Sequence, residues 1–409
     1  MPEIRPFRGI LYRVPEADLA RVLAPPYDVI TPAYQAELYA RDPRNVVRIV
    51  LSREPGDAAY ESAALAYRGM LADGTLAQDP EAALYLLEQG FEEGGRRRRR
   101  LGLLARFRAE DPARRVILPH EQTRKGPRED RYRLLKATRA NFSPIFLMFG
   151  DAAGAFRSLA AAVTAEAPAV GYTDDAGVSH RLWRVGEPAQ IEGFARALAG
   201  RQAYIADGHH RHATALRYRD ETGPEGAWTF GCFTPLEDPG LLVLPYHRIL
   251  STAPPLAAIR TSLSGLFRLS EADGPREAAA RAAASRAPHA FGFAEAGGHA
   301  VLAEATPEAL ALMPRDAPPS LRALDTYFLH RVVLSGLLGA SDDAVSYVHS
   351  LGEAVEALDA GTCRMAVLLR ATPIPQIVDV ALAGESMPAK STFFHPKLPS
   401  GLVIHPLPA

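Results

Sequence analysis

The chain has 409 residues, of which 47% are hydrophobic and 23% are charged, and its formal net charge is −1. This composition is typical of a globular protein and excludes a largely disordered chain. The balanced charge argues against a nucleic-acid-binding or membrane-surface protein, because such proteins depend on a basic surface.

Neither the cysteines nor the hydropathy pattern indicates a metal cluster or a membrane anchor. Cys232 and Cys363 are the only cysteines and lie far apart in sequence, so no pair has metal-ligand spacing. The N-terminal residues lack the apolar core of a signal peptide, and no stretch approaches the roughly 20 apolar residues that span a bilayer. We therefore expect a cytoplasmic protein without a membrane partner.

The first elements of the chain flank a rigid turn that carries a carboxylate. Pro25 and Pro26 restrict the backbone before Asp28. Thr31, followed by proline, predicts the start of a helix, and the apolar run at 45–52 predicts a buried strand. A carboxylate on a stiff loop suits a general base, and a turn-capping aspartate fits the same pattern.

A β-hairpin is predicted around Gly94 and Gly95, because two apolar, strand-like runs flank them. Five consecutive arginines, Arg96 to Arg100, follow this turn. No aromatic residues interleave with them, so we interpret the run as a solvated hairpin tip facing Glu92 and Glu93 rather than as a nucleic-acid patch.

A polar loop follows the strand-like run at 116–118 and carries His120 and Glu121. Basic residues and a basic helix, from about residue 129 to residue 139, come after it. These basic residues either line a pocket that binds an anionic ligand or cover the solvated face of a helix. We keep His120 as a candidate phosphate-binding residue and Glu121 as a candidate catalytic residue.

A strand-to-helix junction is predicted at the DGHHR segment, residues 207–211. The apolar run before it is compatible with a strand, Asp207 and Gly208 break that run, and the residues from His209 to about Gly223 have helical character. A helix start exposes unpaired backbone N–H groups and the positive end of the helix dipole. The junction is therefore a candidate anion site.

The side chains of the junction add to this candidate site. Gly208 lets a ligand approach the backbone, Arg211 supplies a planar guanidinium suited to phosphate, and His209 and His210 add donors. Three roles are open for Asp207: it caps the helix, it binds a Mg²⁺ ion, or it accepts and donates a proton. No HExxH or CxxC pattern completes a transition-metal site, and an aspartate cap followed by surface histidines is the structural alternative.

The C-terminal part supplies further candidates and a predicted domain boundary. Lys390 and Ser391 lie in a polar break before an aromatic pair, where a lysine beside hydroxyls is able to grip a phosphate. A proline pair at 254–255 predicts an N-terminal α+β domain over 1–250, which carries the DGHHR motif, and a C-terminal α+β domain over 251–409. Strands and helices alternate irregularly, so the predicted fold class is α+β or mixed α/β.

Common nucleotide-binding and hydrolase motifs do not occur in the sequence. It contains neither GxxxxGK[ST] nor GxGxxG, which argues against a Walker-type nucleotidase and a dinucleotide-binding domain. It also lacks the GxSxG nucleophile elbow.

The motifs resemble those of known families. The segment IADGHHRHATAL is similar to the signature of the ParB/sulfiredoxin-like fold group, which includes archaeal free-serine kinases. The chain is identified as a member of the family called domain of unknown function 1015 by motifs spread from Arg5 to Ile404, namely PFRGILY, LAPPYDVIT, LPHEQT, EDRYRLLKATRANFSPIF, IADGHHRHATAL, LPYHRIL and MPAKSTFFHPKLPSGLVI. The resemblance implies a ParB/sulfiredoxin-like phosphate-binding core with additional α+β layers.

The resemblance to the kinases implies a small-molecule phosphotransferase that acts on an alcohol such as free serine. A donor such as ATP, ADP or pyrophosphate would lie at Gly208–Arg211, Mg²⁺ on Asp207 would bridge its phosphates, and Asp28 or Glu121 would accept the hydroxyl proton. Two alternatives are a non-catalytic nucleotide-binding regulator, like the partition clamps of the ParB group, and a metal-dependent hydrolase. The sequence leaves the acceptor, the donor and the oligomeric state open.

Overall fold

A computed structural model describes residues 2–408 of the chain, apart from the side chain of Asp342. The chain divides into two units, and the N-terminal and C-terminal segments belong to the same one. The first unit comprises three segments, namely the residues up to Pro119, Thr123–Leu242, and the residues from Pro396 onward. The second unit comprises His120–Gln122 and Val243–His395. The domain division at residue 250 stays a prediction.

The first unit combines a large mixed sheet with helices. Its strands are β1 (Ile4–Arg5), β2 (Ile10–Tyr12), β3 (Leu76–Gln78), β4 (Leu84–Glu93), β5 (Arg96–Arg108), β6 (Ile117–Leu118), β7 (Ala140–Asn141), β8 (Ile145–Phe149), β9 (Val170–Thr173), β10 (Ser179–Val185), β11 (Ala203–Asp207), β12 (Trp228–Pro235) and β21 (His405–Pro406). Its helices are α1 (Glu16–Val22), α2 (Pro32–Arg41), α3 (Val47–Val50), α4 (Ala58–Ala72), α5 (Lys125–Thr138), α6 (Ala155–Thr164), α7 (Pro188–Leu198) and α8 (His209–Thr222).

The strand order of this sheet places β11 near one edge. The order is β6-β11-β8-β12-β5-β4-β10-β9, and β1 pairs with β5. Strand β11 runs parallel to β6 and antiparallel to β8, and its register with β8 shifts between Ile205 and Asp207. Such irregularities change the direction of a strand, and this one directly precedes the predicted anion site.

Aromatic packing fills the core of the first unit. Phe107 contacts Phe233, while Phe156 lies edge-on to both Phe149 and Phe194. These side chains come from β5, β12, β8, α6 and α7, so α6 and α7 cover the sheet. The burial of such large rings stabilises the sheet that contains β11, and β11 ends at the candidate site.

The predicted hairpin is confirmed, but one of its arginines is not solvated. Strands β4 and β5 pair around Gly94 and Gly95, which have φ values of +58° and +71°. Arg96 and Arg97 at the tip are exposed, as expected. Arg100 is only 2% exposed, because the strand carries it inward from the tip. The interpretation of the whole run as a solvated tip was therefore wrong.

The predicted strand at 45–52 is also wrong, because the structure has the short helix α3 there. Asn45 explains the difference: its Oδ1 accepts a hydrogen bond from the Val47 backbone N–H at 2.9 Å, and its Nδ2 donates to the Arg21 and Leu23 carbonyls. These contacts fix a helix start and outweigh the strand preference of the β-branched residues that follow.

The second unit contains an antiparallel sheet of order β15-β17-β16-β19-β14-β18. Its strands are β13 (Leu242–Leu244), β14 (His247–Leu250), β15 (Phe267–Ala272), β16 (Ala290–Ala294), β17 (Ala300–Ala305), β18 (Val345–Val348), β19 (Met365–Leu368) and β20 (Phe393–His395). Its helices are α9 (Leu256–Leu263), α10 (Gly274–Ala284), α11 (Pro307–Leu310), α12 (Pro319–Arg322), α13 (Asp325–Phe328), α14 (Leu351–Asp359) and α15 (Ile374–Ala383). A π-helix, Leu329–Leu337, continues from α13.

The predicted fold class, α+β or mixed α/β, is confirmed by these two sheets and their helices. The more specific expectation of a ParB/sulfiredoxin-like core stays a prediction. Among the helices described over residues 2–408, none is long and apolar enough to cross a membrane.

Candidate functional site

The predicted strand-to-helix junction is present. Strand β11 ends at Asp207, Gly208 adopts φ +96° and ψ 29°, and α8 begins at His209. The first helical hydrogen bond runs from the His212 backbone N–H to the Gly208 carbonyl at 2.9 Å. The N-cap residue is glycine and makes no side-chain capping hydrogen bond, and anion binding at this helix start stays a prediction.

Arg211 folds back over this helix start. Its Nη2 donates to Asp207 Oδ2 at 3.0 Å, and its Nη1 donates to the Pro144 carbonyl. A Cβ atom added at Gly208 would lie 3.0 Å from the guanidinium carbon. Glycine is therefore required at this position for two reasons, namely the positive φ and the close approach of the guanidinium.

Asp207 is the carboxylate around which two cations gather. Besides Arg211, it contacts Lys397, whose Nζ lies 3.6 Å from Oδ1. The side chains of Lys397 and Asp207 are 13% and 20% exposed. Burial raises the pKa of Asp207, but Lys397, Arg211 and His209 more than offset it and hold this pKa well below its usual range. The carboxylate is therefore ionised at neutral pH.

The three histidines of the motif have different environments. His210 Nε2 accepts a hydrogen bond from the Arg124 backbone N–H at 3.0 Å, and burial lowers its pKa against the raising effect of Asp28. Burial also lowers the pKa of His212 to about 4, so this ring is neutral at pH 7. His209 is buried and adds to the positive charge felt by Asp207.

Asp28 lies near the motif although it is far from it in sequence. It is an exposed residue of a 3₁₀ turn, Tyr27–Val29, and its charge acts on both Tyr27 and His210. A cavity of about 50 Å³ opens beside this turn, with Tyr27 and Arg211 in its wall together with Arg131, Ser143 and Thr214. Within the first unit, the fold thus brings Asp28 and the DGHHR segment together.

The other sequence-predicted candidates belong to the second unit. The His120 carbonyl accepts a hydrogen bond from the Met387 backbone N–H at 2.8 Å, and Glu121 forms a β-bridge with Met387. Lys390 is exposed, has φ +57° and lies with Nζ 5.2 Å from the Tyr246 ring centroid.

Ser391 is buried, and its hydroxyl contacts the Pro388 carbonyl at 2.6 Å and Thr326 Oγ1 at 3.0 Å. The site roles of His120, Glu121, Lys390 and Ser391 stay predictions.

The placement of Mg²⁺ on Asp207 stays a prediction. Each of the two Asp207 oxygens contacts a cationic side chain in this structure. Among residues 2–408, no group of three or more histidine, cysteine, aspartate or glutamate side chains is arranged to hold a metal ion.

Sequence reasoning missed two residues of this region, Lys397 and Arg100. Lys397 lies in the motif near the C-terminus, where Lys390 fits the phosphate-binding pattern better because hydroxyl residues follow it. One signal was available: only four of the 46 basic residues of the chain are lysines, so a lysine is the exception to its arginine-rich composition.

A comparison against family models gives a match over most of the chain. The match is to a family described as a protein of unknown function, DUF1015, over residues 4–327. The chain belongs to the DUF1015 family. The membership predicted from the motifs is therefore confirmed.

A comparison with curated proteins found no match. Solved structures that resemble the chain include a free serine kinase in complex with AMP, with 15% identity, a TM-score of 0.34, and coverage of 68% of this chain and 83% of that one. A conserved hypothetical protein from Pyrococcus furiosus has 14% identity, a TM-score of 0.35, and coverage of 70% and 90%. SbnI from Staphylococcus aureus, with a C-terminal truncation, has 9% identity, a TM-score of 0.37, and coverage of 72% and 84%. These TM-scores are too low for the similarity to indicate a shared function.

Proposed function

We propose that this DUF1015 protein is a small-molecule phosphotransferase whose phosphoryl donor binds at the start of α8. One observation carries the proposal: two cations, Arg211 and Lys397, contact a single carboxylate beside a helix start that has no side-chain cap. Two cations and one carboxylate leave a local excess of one positive charge, to which the helix start adds about half a charge, and a phosphate anion would balance it. ATP, ADP and pyrophosphate all supply such an anion.

Arg211 is the residue that we expect to bind the phosphoryl donor. Its guanidinium presents planar donors beside the helix start and now rests on Asp207 and the Pro144 carbonyl. Moving one nitrogen from Asp207 to a phosphate oxygen exchanges one charge-assisted hydrogen bond for another. Asp207 then serves as the counter-ion that keeps Arg211 in place when no donor is bound.

Asp28 is the proposed general base. In the reaction, the acceptor hydroxyl oxygen bonds to the terminal phosphorus, the bond from phosphorus to the leaving phosphate oxygen breaks, and the hydroxyl proton moves to a carboxylate of the protein. Asp28 is exposed, follows the rigid Pro25–Pro26 turn and acts electrostatically on His210. Glu121 is the second candidate for this role, and free serine is the acceptor to assay first.

Thermal-shift measurements with ATP, ADP and pyrophosphate, each with and without Mg²⁺, test donor binding. We expect a rise in the melting temperature that is lost in Arg211→Ala. Arg196→Ala is the matched control, because this arginine lies on α7 with its side chain 65% exposed and pairs only with nearby Glu192 in the described contacts. No shift with any donor, or an equal shift in Arg211→Ala, would refute the proposal.

Transfer of phosphate to serine, followed by ³¹P NMR, separates a kinase from a protein that only binds nucleotides. Asp28→Asn should abolish transfer while the thermal shift persists, and Glu121→Gln tests the other carboxylate in parallel. Donor binding without any product from serine or other small alcohols would favour the regulatory alternative instead.

A further inference from the structure

The C-terminal segment of the chain is held firmly against the first unit. Strand β21 pairs with β7, the Ile404 and Ile10 backbones exchange hydrogen bonds of 2.9 Å, and Leu407 packs with Tyr132 and Tyr218 between α5 and α8. The segment that carries Lys397 therefore has a fixed path across the unit that contains the DGHHR motif. A fixed path is what a residue needs if it is to meet a ligand with defined geometry.

A pair of buried polar side chains clamps the backbone on either side of Lys397's own amide. Gln89 Nε2 donates to the Lys397 carbonyl at 3.0 Å, and Arg100 Nη2 donates to the Pro396 carbonyl at 2.6 Å. Arg100 also donates to Gln89 Oε1. Gln89 and Arg100 are 1% and 2% exposed. Because both are deeply buried, this clamp is rigid and well shielded from water.

Phe146 connects the clamp to the strand position opposite Asp207. The guanidinium carbon of Arg100 lies 4.6 Å from the centroid of the Phe146 ring, and Phe146 is the β8 partner of Asp207. The clamp residues lie on β4 and β5 and Asp207 ends β11, so the clamp and the carboxylate that Lys397 contacts belong to one sheet.

From this arrangement we propose that Lys397 is a second phosphate-binding residue of the active site, positioned by the Arg100–Gln89 clamp. Its ammonium moves from Asp207 to an oxygen of the transferred phosphoryl group, where a compact point charge stabilises the charge that develops. Arg100 and Gln89 are positioning residues that act through the backbone at 396–397. This inference rests on the proposed function.

The choice of lysine supports this assignment. Only four of the 46 basic residues are lysines, so arginine is the usual cation of this chain. Lys397 is 13% exposed, whereas Lys136 on α5 is 57% exposed and pairs with Glu221 at 3.7 Å. Lys136→Met is therefore a matched control, since it removes the same charge from the same unit away from Asp207.

The experiment measures the dissociation constants of ADP and pyrophosphate by calorimetry, and the rate of phosphate transfer, for the full chain. Loss of one charge-assisted contact predicts that Lys397→Met weakens ADP binding about tenfold, whereas Lys136→Met leaves it unchanged. Near-ultraviolet circular dichroism of each variant reports whether the tertiary packing is retained.

A double-mutant cycle tests the clamp. Gln89→Leu should weaken ADP binding in the wild-type background and have little further effect when Lys397→Met is already present, because both act through the same ammonium. Additive effects would show that Gln89 only supports the fold and would overturn the positioning role.

The outcomes separate the two proposals. If wild-type protein binds neither ADP nor pyrophosphate, the proposed function fails. If it binds them and Lys397→Met binds them equally well, the proposed function stands and the assignment of Lys397 is refuted.

Discussion

Replacing Gly208 by alanine perturbs the junction in two ways that can be measured separately. The backbone at this position has φ +96°, which costs a non-glycine residue about 1 to 3 kcal/mol. The new Cβ would also lie 3.0 Å from both Cζ and Nε of Arg211, closer than ordinary van der Waals contact. Arg211 must then leave Asp207 and the Pro144 carbonyl.

Gly154→Ala isolates the backbone part of this effect. Gly154 is the N-cap of α6, has φ +69°, and a Cβ there would meet nothing within 4 Å. We expect Gly154→Ala to lower the free energy of unfolding by about 1 to 2 kcal/mol through backbone strain alone. Gly208→Ala should lose about 1 to 3 kcal/mol more, because the hydrogen bonds of Arg211 are broken in a partly buried place.

Urea unfolding of both variants, followed by circular dichroism, gives these free energies. In the double variant Gly208→Ala with Arg211→Ala, the steric part of the loss should disappear, so the two substitutions should be less than additive. Equal losses in Gly208→Ala and Gly154→Ala, or full additivity with Arg211→Ala, would refute the close packing of the guanidinium against the helix start.

Three further predictions concern stability. Burial lowers the pKa of His212 from 6.5 to about 4, so the unfolded chain binds the proton more readily than the folded protein does. The free energy of unfolding should therefore fall by about 3 kcal/mol at most as the pH drops from about 6.5 to about 4. His212→Gln should flatten this part of a profile of the urea midpoint against pH. An unchanged profile would contradict the buried neutral ring. Asp207→Asn should cost about 1 to 3 kcal/mol in unfolding experiments, because two cations lose their shared partner, whereas Asp220→Asn, on α8 with its side chain 63% exposed, should cost little; similar losses would argue against the cation pair. Ser350→Ala removes the capping box that Ser350 forms with Glu353 at the start of α14 and should cost about 1 kcal/mol, so an unshifted midpoint would count against that cap.

The family, the fold class and the local turns of this protein could be predicted from its sequence. Thr31 caps α2, with its Oγ1 accepting a hydrogen bond from the Tyr34 backbone N–H at 3.2 Å, and Gly94 and Gly95 turn the hairpin. The break at Gly208 ends a strand and starts a helix. These features depend on residues within a few positions of one another, so they can be predicted from the sequence.

Only the tertiary structure decided which distant residues meet. The burial of Arg100 beneath an arginine-rich tip, the contact of Lys397 with Asp207, and the proximity of Asp28 to His210 all join segments far apart in the chain. Hydrophobic periodicity assigns a side chain to one face of an element, but the partner on that face depends on how sheets and helices pack. The sequence thus determined the helix start at Gly208, and the packing of the C-terminal segment determined that Lys397 lies beside Asp207.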